Sequence, residues 1–426
     1  MSTFALCNLG CSKNLVDGER MLAFLRQAGH SITDDYAAAE VILVNTCAFI
    51  KEAQEEAIQH ILDMAQFKKI GACTTLAVCG CFSQRYADTV RTKFPEVDMW
   101  VSLDTWEEAF RRHFGARGSA GYKRELTHEY GGQYLKIAEG CSHGCSYCVI
   151  PSIRGAYRSR QASAIVEEAR WLYEKGTREL ILVSQDTSYY GRDIGAGLVS
   201  LLERLLRDTA FPWIRMMYLN PHWVDETLIR LVGSEKRLCS YFDIPIQHIS
   251  DPILKAMRRA RPSSAQIRTL IEAIRTHAPG AAIRTSLIVG FPGETDREFG
   301  ELVRFVGNAR FDKLGVFPYS PEDGAPAAKL RGRPRRSTAE RRAETIVDMQ
   351  REISHAILHS RRGRVLPVMI DRVSEDPAYS HEGRTEFDAP EVDGAVFVNS
   401  IGAQVGRIAK VTVRESNDYD LFGTVA

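Results

Sequence analysis

The chain has 426 residues, a length that predicts about three domains. Its hydrophobic fraction of 44% and charged fraction of 26% are typical of a soluble globular protein, and its net charge of +1 is not typical of a nucleic-acid-binding protein. The sequence has neither an apolar run of about 18 residues nor a signal-peptide pattern, so we expect a cytoplasmic protein with no membrane partner.

Residues 1–115 alternate short apolar runs with helical patterns, which predicts a small α/β domain with a parallel sheet. The expected elements are strands at residues 4–6, 41–44 and 76–78 and helices at residues 15–27 and 52–64. The Gly- and Ser-rich residues 115–121 predict a linker after this domain.

Residues 127–362 continue the alternation and predict a partial (β/α)6 barrel. The six expected strands lie at residues 134–137, 180–183, 214–218, 242–246, 283–289 and 314–318. In such a barrel, chemistry lies on the loops at the C-terminal ends of the strands. A long helix is expected to start at Ser337 or Thr338 and to end at Gly363.

Residues 363–426 contain β-type runs between Gly, Asn and Asp turn residues, which predicts a small antiparallel β-barrel. The runs lie at residues 366–370, 396–398 and 408–413. The chain is therefore expected to be an α/β protein of three domains.

Ten cysteines in a cytoplasmic protein point to metal binding rather than to disulfides. Cys141, Cys145 and Cys148 place three thiols within eight residues, directly after the first barrel strand. Three thiolates leave one iron of a [4Fe–4S] cluster open, as a catalytic site requires. A structural zinc site with His143 as fourth ligand is the alternative.

Three N-terminal cysteines, Cys11, Cys47 and Cys81, each follow an expected strand. Because the loops after parallel strands emerge at one edge of a sheet, these thiols can converge on a second metal site. The alternative is a buried neutral core cysteine, which suits Cys7, Cys73 and Cys239 better.

The segment around Cys141, Cys145 and Cys148 resembles the radical S-adenosylmethionine superfamily, whose loop is Cys-x3-Cys-x-aromatic-Cys; Tyr147 is the aromatic residue. The resemblance implies that S-adenosylmethionine binds the open iron and is reductively cleaved to a 5′-deoxyadenosyl radical. Segments after the second, fourth and fifth barrel strands also resemble this superfamily. The cofactor-binding residues that it implies are Tyr147, Gln185, Gln247, Arg284, Ile288 and Gly290.

Ile288 and Gly290 would lie against the adenine. Glycine permits close approach of the backbone to a ligand, although Gly290 and Gly293 could instead only form a turn around Pro292.

The whole chain resembles the methylthiotransferase family, which implies a second [4Fe–4S] cluster on Cys11, Cys47 and Cys81. Residues 80–85 match the family and select Cys81 over Cys79. Residues 11–14, 218–221 and 391–394 resemble the branch that methylthiolates the β-carbon of an aspartate in ribosomal protein S12. The resemblance also implies a C-terminal TRAM barrel that docks the substrate.

The other large branch of the family modifies tRNA adenosines, and charge favours the protein substrate. Residues 365–426 carry five basic and eleven acidic residues, a net charge of −6 that suits a basic partner better than phosphates. Glu391 and Asp393 either belong to such a docking face or occupy a solvated turn. Residues 329–364, with a net charge of +7, either touch ribosomal RNA or form a solvated helix face.

The expected partners are ribosomal protein S12, free or in the ribosome, a reductant such as flavodoxin, and a sulfur donor. Two rival functions stay open: a tRNA methylthiotransferase, and a non-catalytic iron–sulfur or zinc scaffold that binds RNA.

Overall fold

The computed structural model describes residues 1–118, 121–127, 131–400 and 402–426. Of the predicted linker, residues 119 and 120 lie outside the described residues.

The N-terminal region is an α/β unit whose described strands form one parallel sheet in the order β2-β1-β3-β4-β5. Its elements are β1 (Thr3–Asn8), α1 (Ser12–Gln27), β2 (Ser31–Ile32), β3 (Val41–Thr46), α2 (Lys51–Ile70), β4 (Thr75–Gly80), α3 (Cys81–Val90), β5 (Met99–Trp100) and α4 (Trp106–Phe114). All six residues of β3 are buried, as expected of a central strand that is covered on both faces. The predicted parallel sheet is confirmed.

The central region contains six parallel strands of the described chain, which follow one another in chain order around a partial barrel. Its elements are β6 (Gly132–Lys136), β7 (Ala138–Glu139), α5 (Ile150–Arg154), β8 (Arg158–Ser159), α6 (Ala162–Glu174), β9 (Glu179–Val183), α7 (Leu198–Asp208), β10 (Trp213–Met216), α8 (Glu226–Ser234), β11 (Tyr241–Asp243), α9 (Asp251–Ala256), α10 (Ser264–His277), β12 (Ala282–Val289), α11 (Asp296–Ala309), β13 (Lys313–Pro318) and α12 (Arg336–His359).

The sheet β6–β9–β10 meets the sheet β11–β12–β13 at a parallel bridge between Ile214 and Leu238. All six predicted strands are present, so the partial (β/α)6 barrel is confirmed.

The C-terminal region is a closed barrel in the order β14-β15-β16-β18-β17. Its elements are β14 (Val365–Val373), β15 (His381–Thr385), β16 (Val396–Asn399), β17 (Ile408–Ser416) and β18 (Leu421–Val425). Four of the five pairings are antiparallel, as predicted, and β16 runs parallel to β18, because a closed barrel with an odd number of strands cannot be antiparallel throughout.

This C-terminal barrel covers the inner face of the central partial barrel. Successive strand residues point to opposite faces, so Leu180 and Leu182 pack towards the helices, whereas Ile181 and Val183 point inward. The inward residues of β9 to β12 share one apolar core with Met369 and Ala389 of the C-terminal barrel.

Buried charges fix the segment of residues 385–393 at this contact. Lys313 pairs with Asp388 at 2.7 Å, and Arg284 lies 3.5 Å from Asp393. Asp393 also accepts a hydrogen bond of 2.6 Å from the Tyr241 hydroxyl, and its side chain is only 2% exposed.

The expectation that Asp393 meets a basic partner or lies in a solvated turn is therefore wrong, because this carboxylate is buried between the two barrels. Its neighbour Glu391 is exposed. Asp371 likewise pairs with the buried Arg384, at 2.7 Å. Some of the acidic residues that give this region its net charge of −6 therefore form buried ion pairs at the contact between the barrels and do not face solvent.

Replacing Asp393 by Ala should lower the free energy of unfolding by about 1–3 kcal/mol, because the buried Tyr241 hydroxyl and the backbone N–H of Ala389 would lose their acceptor, while Arg284 keeps Asp243. Chemical denaturation measures the change. The matched control is Glu375→Ala, since Glu375 is an exposed acid of the same barrel and should change stability by less than about 0.5 kcal/mol. Equal stability of the two variants would mean that Asp393 does not join the barrels.

Candidate active site

The three cysteines predicted in the N-terminal region lie at the C-terminal edge of its sheet. Cys11 precedes α1, Cys47 follows β3, and Cys81 is the first residue of α3. Cys141, Cys145 and Cys148 lie between β7 and α5 of the central barrel. The structure brings all six together as lining of one cavity of about 390 Å³.

Two glycines let the N-terminal loops approach one another closely. Gly10 has a φ of +93°, and a Cβ there would lie 2.7 Å from Cβ of Cys47. Gly80 has a φ of +87°, and a Cβ there would collide with the carbonyl oxygen of Thr46. Only glycine adopts these angles readily and fits these gaps, so each one fixes the cysteine that follows it.

The remaining cysteines do not line this cavity. Cys7, Cys73, Cys79 and Cys239 are buried, and the thiol of Cys79 lies 3.6 Å from the carbonyl oxygen of Val44. Burial raises the pKa of Cys73 and Cys7, as expected of neutral core thiols. Cys79 and Cys81, two residues apart, therefore differ in surroundings: one lies in the sheet core and the other at the cavity.

The thiols at the cavity differ in their electrostatic surroundings. Burial raises the pKa of Cys141 to about 11 and of Cys148 to about 12. Burial also raises the pKa of Cys11, but the charges of Lys13 and Arg154 outweigh it, and the net pKa of Cys11 is lowered. The thiols of Cys141 and Cys148 are therefore neutral near pH 7 without a bound cation, and metal binding would release their protons.

The donor set fits iron–sulfur clusters better than single metal ions. Within the described ranges, no three His, Cys, Asp or Glu side chains are grouped so that they could hold one ion. His143, the alternative zinc ligand, has its Nε2 atom 2.6 Å from a carboxylate oxygen of Asp186. Six cysteines spread around one cavity suit polynuclear clusters, whose protein ligands are thiolates.

A buried arginine joins the two cysteine groups. Arg154, at the end of α5, pairs with Asp17 of α1 at 2.8 Å and with Glu139 at 3.2 Å. It also donates to the side-chain oxygen of Asn14 and lies 3.4 Å from the sulfur of Cys81. Its side chain is 2% exposed. One side chain thus ties α1 and α3 to the loop that carries the central cysteines.

Lys136 completes this network from the end of β6. Its amine bonds to Asp17 and lies 2.8 Å from Glu139. Burial raises the pKa of Glu139, but the charges of Lys136 and Arg154 outweigh this and hold it well below its usual range. Glu139 therefore stays ionised and holds both cations in place.

Three of the predicted cofactor-binding residues line the cavity: Tyr147, Gln185 and Gln247. The Tyr147 hydroxyl lies 3.3 Å from a guanidinium nitrogen of Arg259. The Oε1 atom of Gln185 is buried and has no hydrogen-bond partner among the described residues, so it can accept a bond from a ligand.

The other three predicted cofactor-binding residues lie outside the lining of this cavity. Arg284 pairs with Asp243 at 2.9 Å, and Ile288 packs beside the buried Phe291. A Cβ on Gly290 would collide with Ala339 of α12, so the close approach here is to a helix. Their role in cofactor binding stays a prediction.

Among the cavity-lining residues that were not predicted from the sequence are Lys13, Arg154, Tyr218 and Arg259. Lys13 and Tyr218 lie in the segments 11–14 and 218–221, whose resemblance to one branch of the family was a usable signal. For Arg154 and Arg259 no spacing pointed to the cavity, because their contacts come from distant parts of the chain.

Three family models match successive parts of the chain. Residues 3–102 match the uncharacterized protein family UPF0004, residues 135–306 match the radical SAM superfamily, and residues 363–426 match the TRAM domain. Within the described residues, no helix has both the length and the apolar character needed to cross a membrane.

Solved structures share the fold. The radical S-adenosylmethionine methyltransferase TsrM from Kitasatospora setae matches with a TM-score of 0.57 and 14% identity, and covers 75% of each chain. The cobalamin-dependent S-adenosylmethionine radical enzyme OxsB matches with a TM-score of 0.52 and 10% identity, over 82% of this chain and 56% of that one. Fold and family models together define a radical S-adenosylmethionine protein.

Proteins of similar sequence show which family of radical S-adenosylmethionine proteins the chain belongs to. The ribosomal protein uS12 methylthiotransferase RimO of Geotalea uraniireducens is 42% identical, over 99% of this chain and 98% of its own. RimO of Trichlorobacter lovleyi is 43% identical, over 98% and 96%. The chain belongs to the RimO family.

Replacing Arg154 by Met should lower the free energy of unfolding by about 3–5 kcal/mol, since Asp17 and Glu139 would lose a buried partner. Denaturant titration of the metal-free protein measures this without any contribution from a cluster. Arg158→Met is the control, because Arg158 is 60% exposed and its nearest acid, Asp104, is 3.8 Å away. If both variants unfold alike, Arg154 does not hold the two cysteine groups together.

Proposed function

We propose that this protein methylthiolates the β-carbon of an aspartate in ribosomal protein S12. The observation that carries the proposal is the convergence of two groups of three cysteines on one cavity. Its relatives in the RimO family are named ribosomal protein uS12 methylthiotransferases, which supports S12 as the substrate.

In this proposal, Cys141, Cys145 and Cys148 hold the [4Fe–4S] cluster that binds S-adenosylmethionine, and Cys11, Cys47 and Cys81 hold a second cluster. When bound, the clusters and S-adenosylmethionine would supply the 5′-deoxyadenosyl radical that removes hydrogen from the substrate carbon, the sulfur that replaces it, and, from a second S-adenosylmethionine, the methyl group on that sulfur. Removal of a hydrogen atom by a radical needs no general base, and the sequence offers no Ser/His/Asp constellation. The protein's own residues would therefore bind the clusters, orient the substrate and enclose the site.

Several side chains suit that task. Arg154 and Lys136 hold the edge of the N-terminal sheet against the central cysteine loop through Asp17 and Glu139. A fixed separation of the cysteine groups lets one substrate carbon face both, as pre-oriented reactants require.

The lining at the cavity suits the cofactor and the exclusion of water. Tyr147 and Gln185 offer a ring and a free carbonyl oxygen to the cofactor. Phe49, Ile150 and Leu219 add apolar surface to the lining. Apolar walls keep water away from a reactive intermediate.

We further propose three domains, at residues 1–115, 127–362 and 363–426, with the last docking the substrate. The reaction would take place in the cytoplasm. Electrons would come from a reductant such as flavodoxin, and sulfur from a separate donor.

The reconstituted enzyme should increase the mass of ribosomal protein S12 by one methylthio group in place of hydrogen, measured by mass spectrometry. Transfer RNA offered in parallel is the comparison. Modification of tRNA, with S12 unchanged, would move the protein to the other branch of its family. If the reduced protein cleaves no S-adenosylmethionine, the result would favour the non-catalytic scaffold.

Cysteine variants test the ligand assignment. The reconstituted protein should hold roughly eight irons, four per cluster. Replacing Cys141, Cys145 and Cys148 by Ala should halve the iron and abolish 5′-deoxyadenosine. Replacing Cys11, Cys47 and Cys81 should also halve the iron but abolish only methylthiolation, because the other cluster survives.

Cys79→Ala is the matched control for Cys81→Ala, since the two cysteines share one segment and only Cys81 lines the cavity. Iron content should fall in Cys81→Ala and stay constant in Cys79→Ala. The opposite pattern would overturn the choice of Cys81.

A further inference from the structure

Lys13 places a buried positive charge beside the cavity. It is the second residue of α1, lines the cavity between the two cysteine groups, and is 9% exposed. Its amine lies 3.6 Å from the centroid of the Tyr218 ring. Among the described residues, no carboxylate forms an ion pair with it.

The other cations at the cavity are bound to groups of the protein. Arg154 pairs with Asp17 and Glu139. Arg259 donates to the carbonyl oxygen of Pro245 at 2.9 Å and to the Tyr147 hydroxyl at 3.3 Å. Lys13 therefore differs from both, because its contact is an aromatic ring, which attracts a cation without neutralising it.

Asp186, the acidic residue of the cavity lining, also has partners within the protein. Asp186 accepts a hydrogen bond of 2.5 Å from Ser188 and lies 2.6 Å from Nε2 of His143. It is 2% exposed. Asp186 thus does not compensate Lys13, whose charge acts on the thiol of Cys11 but meets no carboxylate of the described residues.

The proposed substrate supplies a carboxylate that Lys13 can meet. An aspartate whose β-carbon reacts must bring its carboxylate, one bond away, into the same cavity. Burying that carboxylate costs free energy unless a cation meets it. Lys13 lies beside Cys11, on the side where the proposed second cluster would supply sulfur.

We propose that Lys13 binds the side-chain carboxylate of the substrate aspartate and thereby selects aspartate over its neutral amide. The proposal rests on the proposed function, since it specifies how that substrate is recognised. Lys13 is then a specificity-determining residue, and Tyr218 holds its amine in place. The backbone N–H of Tyr218 donates to Asp243 at 2.8 Å, which holds the main chain at Tyr218.

The test compares two synthetic peptides that span the modified segment of S12, one with its aspartate and one with asparagine in that place. Wild-type reconstituted enzyme should strongly prefer the aspartate peptide. In Lys13→Met, kcat/KM for the aspartate peptide should fall at least ~30-fold, because a buried charge loses its partner. The asparagine peptide should react at the wild-type rate or faster, so the preference collapses.

Binding gives a second readout that is independent of turnover. Fluorescence anisotropy of labelled peptides should show that Lys13→Met weakens binding of the aspartate peptide by at least ~10-fold and leaves binding of the asparagine peptide unchanged. Lys13→Arg should keep part of the preference, because it keeps the charge. Lys69→Met is the control, since Lys69 is an exposed lysine of α2 and should behave as wild type.

The outcomes separate the proposals. Equal losses for both peptides in Lys13→Met, or loss of iron or of 5′-deoxyadenosine formation without peptide, would mean that Lys13 supports a cluster or the cofactor, and would overturn the inference. If wild-type enzyme modifies neither peptide nor S12 itself, the proposed function fails instead.

Discussion

The buried ion pairs of Arg154 are the interaction on which the site depends. The six cysteines come from two separately built sheets, and nothing in either sheet alone fixes the distance between them. Arg154 contacts Asp17 and Asn14 of α1 and Cys81 of α3 from the end of α5, with Glu139 beside it. Since breaking a buried ion pair is costly, this contact allows one arrangement of the cysteine groups and disfavours others.

A second constraint acts at the opposite end of the central barrel. A partial barrel leaves inward side chains of its strands uncovered, and here the C-terminal barrel covers them with Met369, Ala389 and the carboxylates of Asp388 and Asp393. Acidic residues that look like a docking surface in the sequence are therefore partly structural. Substrate docking by this barrel has to use what is left exposed, such as Glu391 and Glu375.

Much of the fold and of the site was predictable from local patterns. Alternation of apolar runs with helical periodicity predicted both parallel sheets, and the position of each cysteine after a strand predicted their convergence. The strands β15 and β18 were missed: β15 reads His-Glu-Gly-Arg-Thr and has no apolar run. The roles of Arg154, Lys13 and Asp393 could not be predicted, because their partners lie far away in the chain and pairing between distant charges leaves no local signal.

Electron paramagnetic resonance of the reconstituted, reduced protein tests most directly whether two clusters face one cavity. Two reduced clusters that share a cavity interact through their spins, so the spectrum should be broader than the sum of the spectra of the two triple-cysteine variants. Each variant supplies one cluster alone. A wild-type spectrum equal to that sum would show that the clusters do not meet, and would contradict the convergence of the six cysteines on one site.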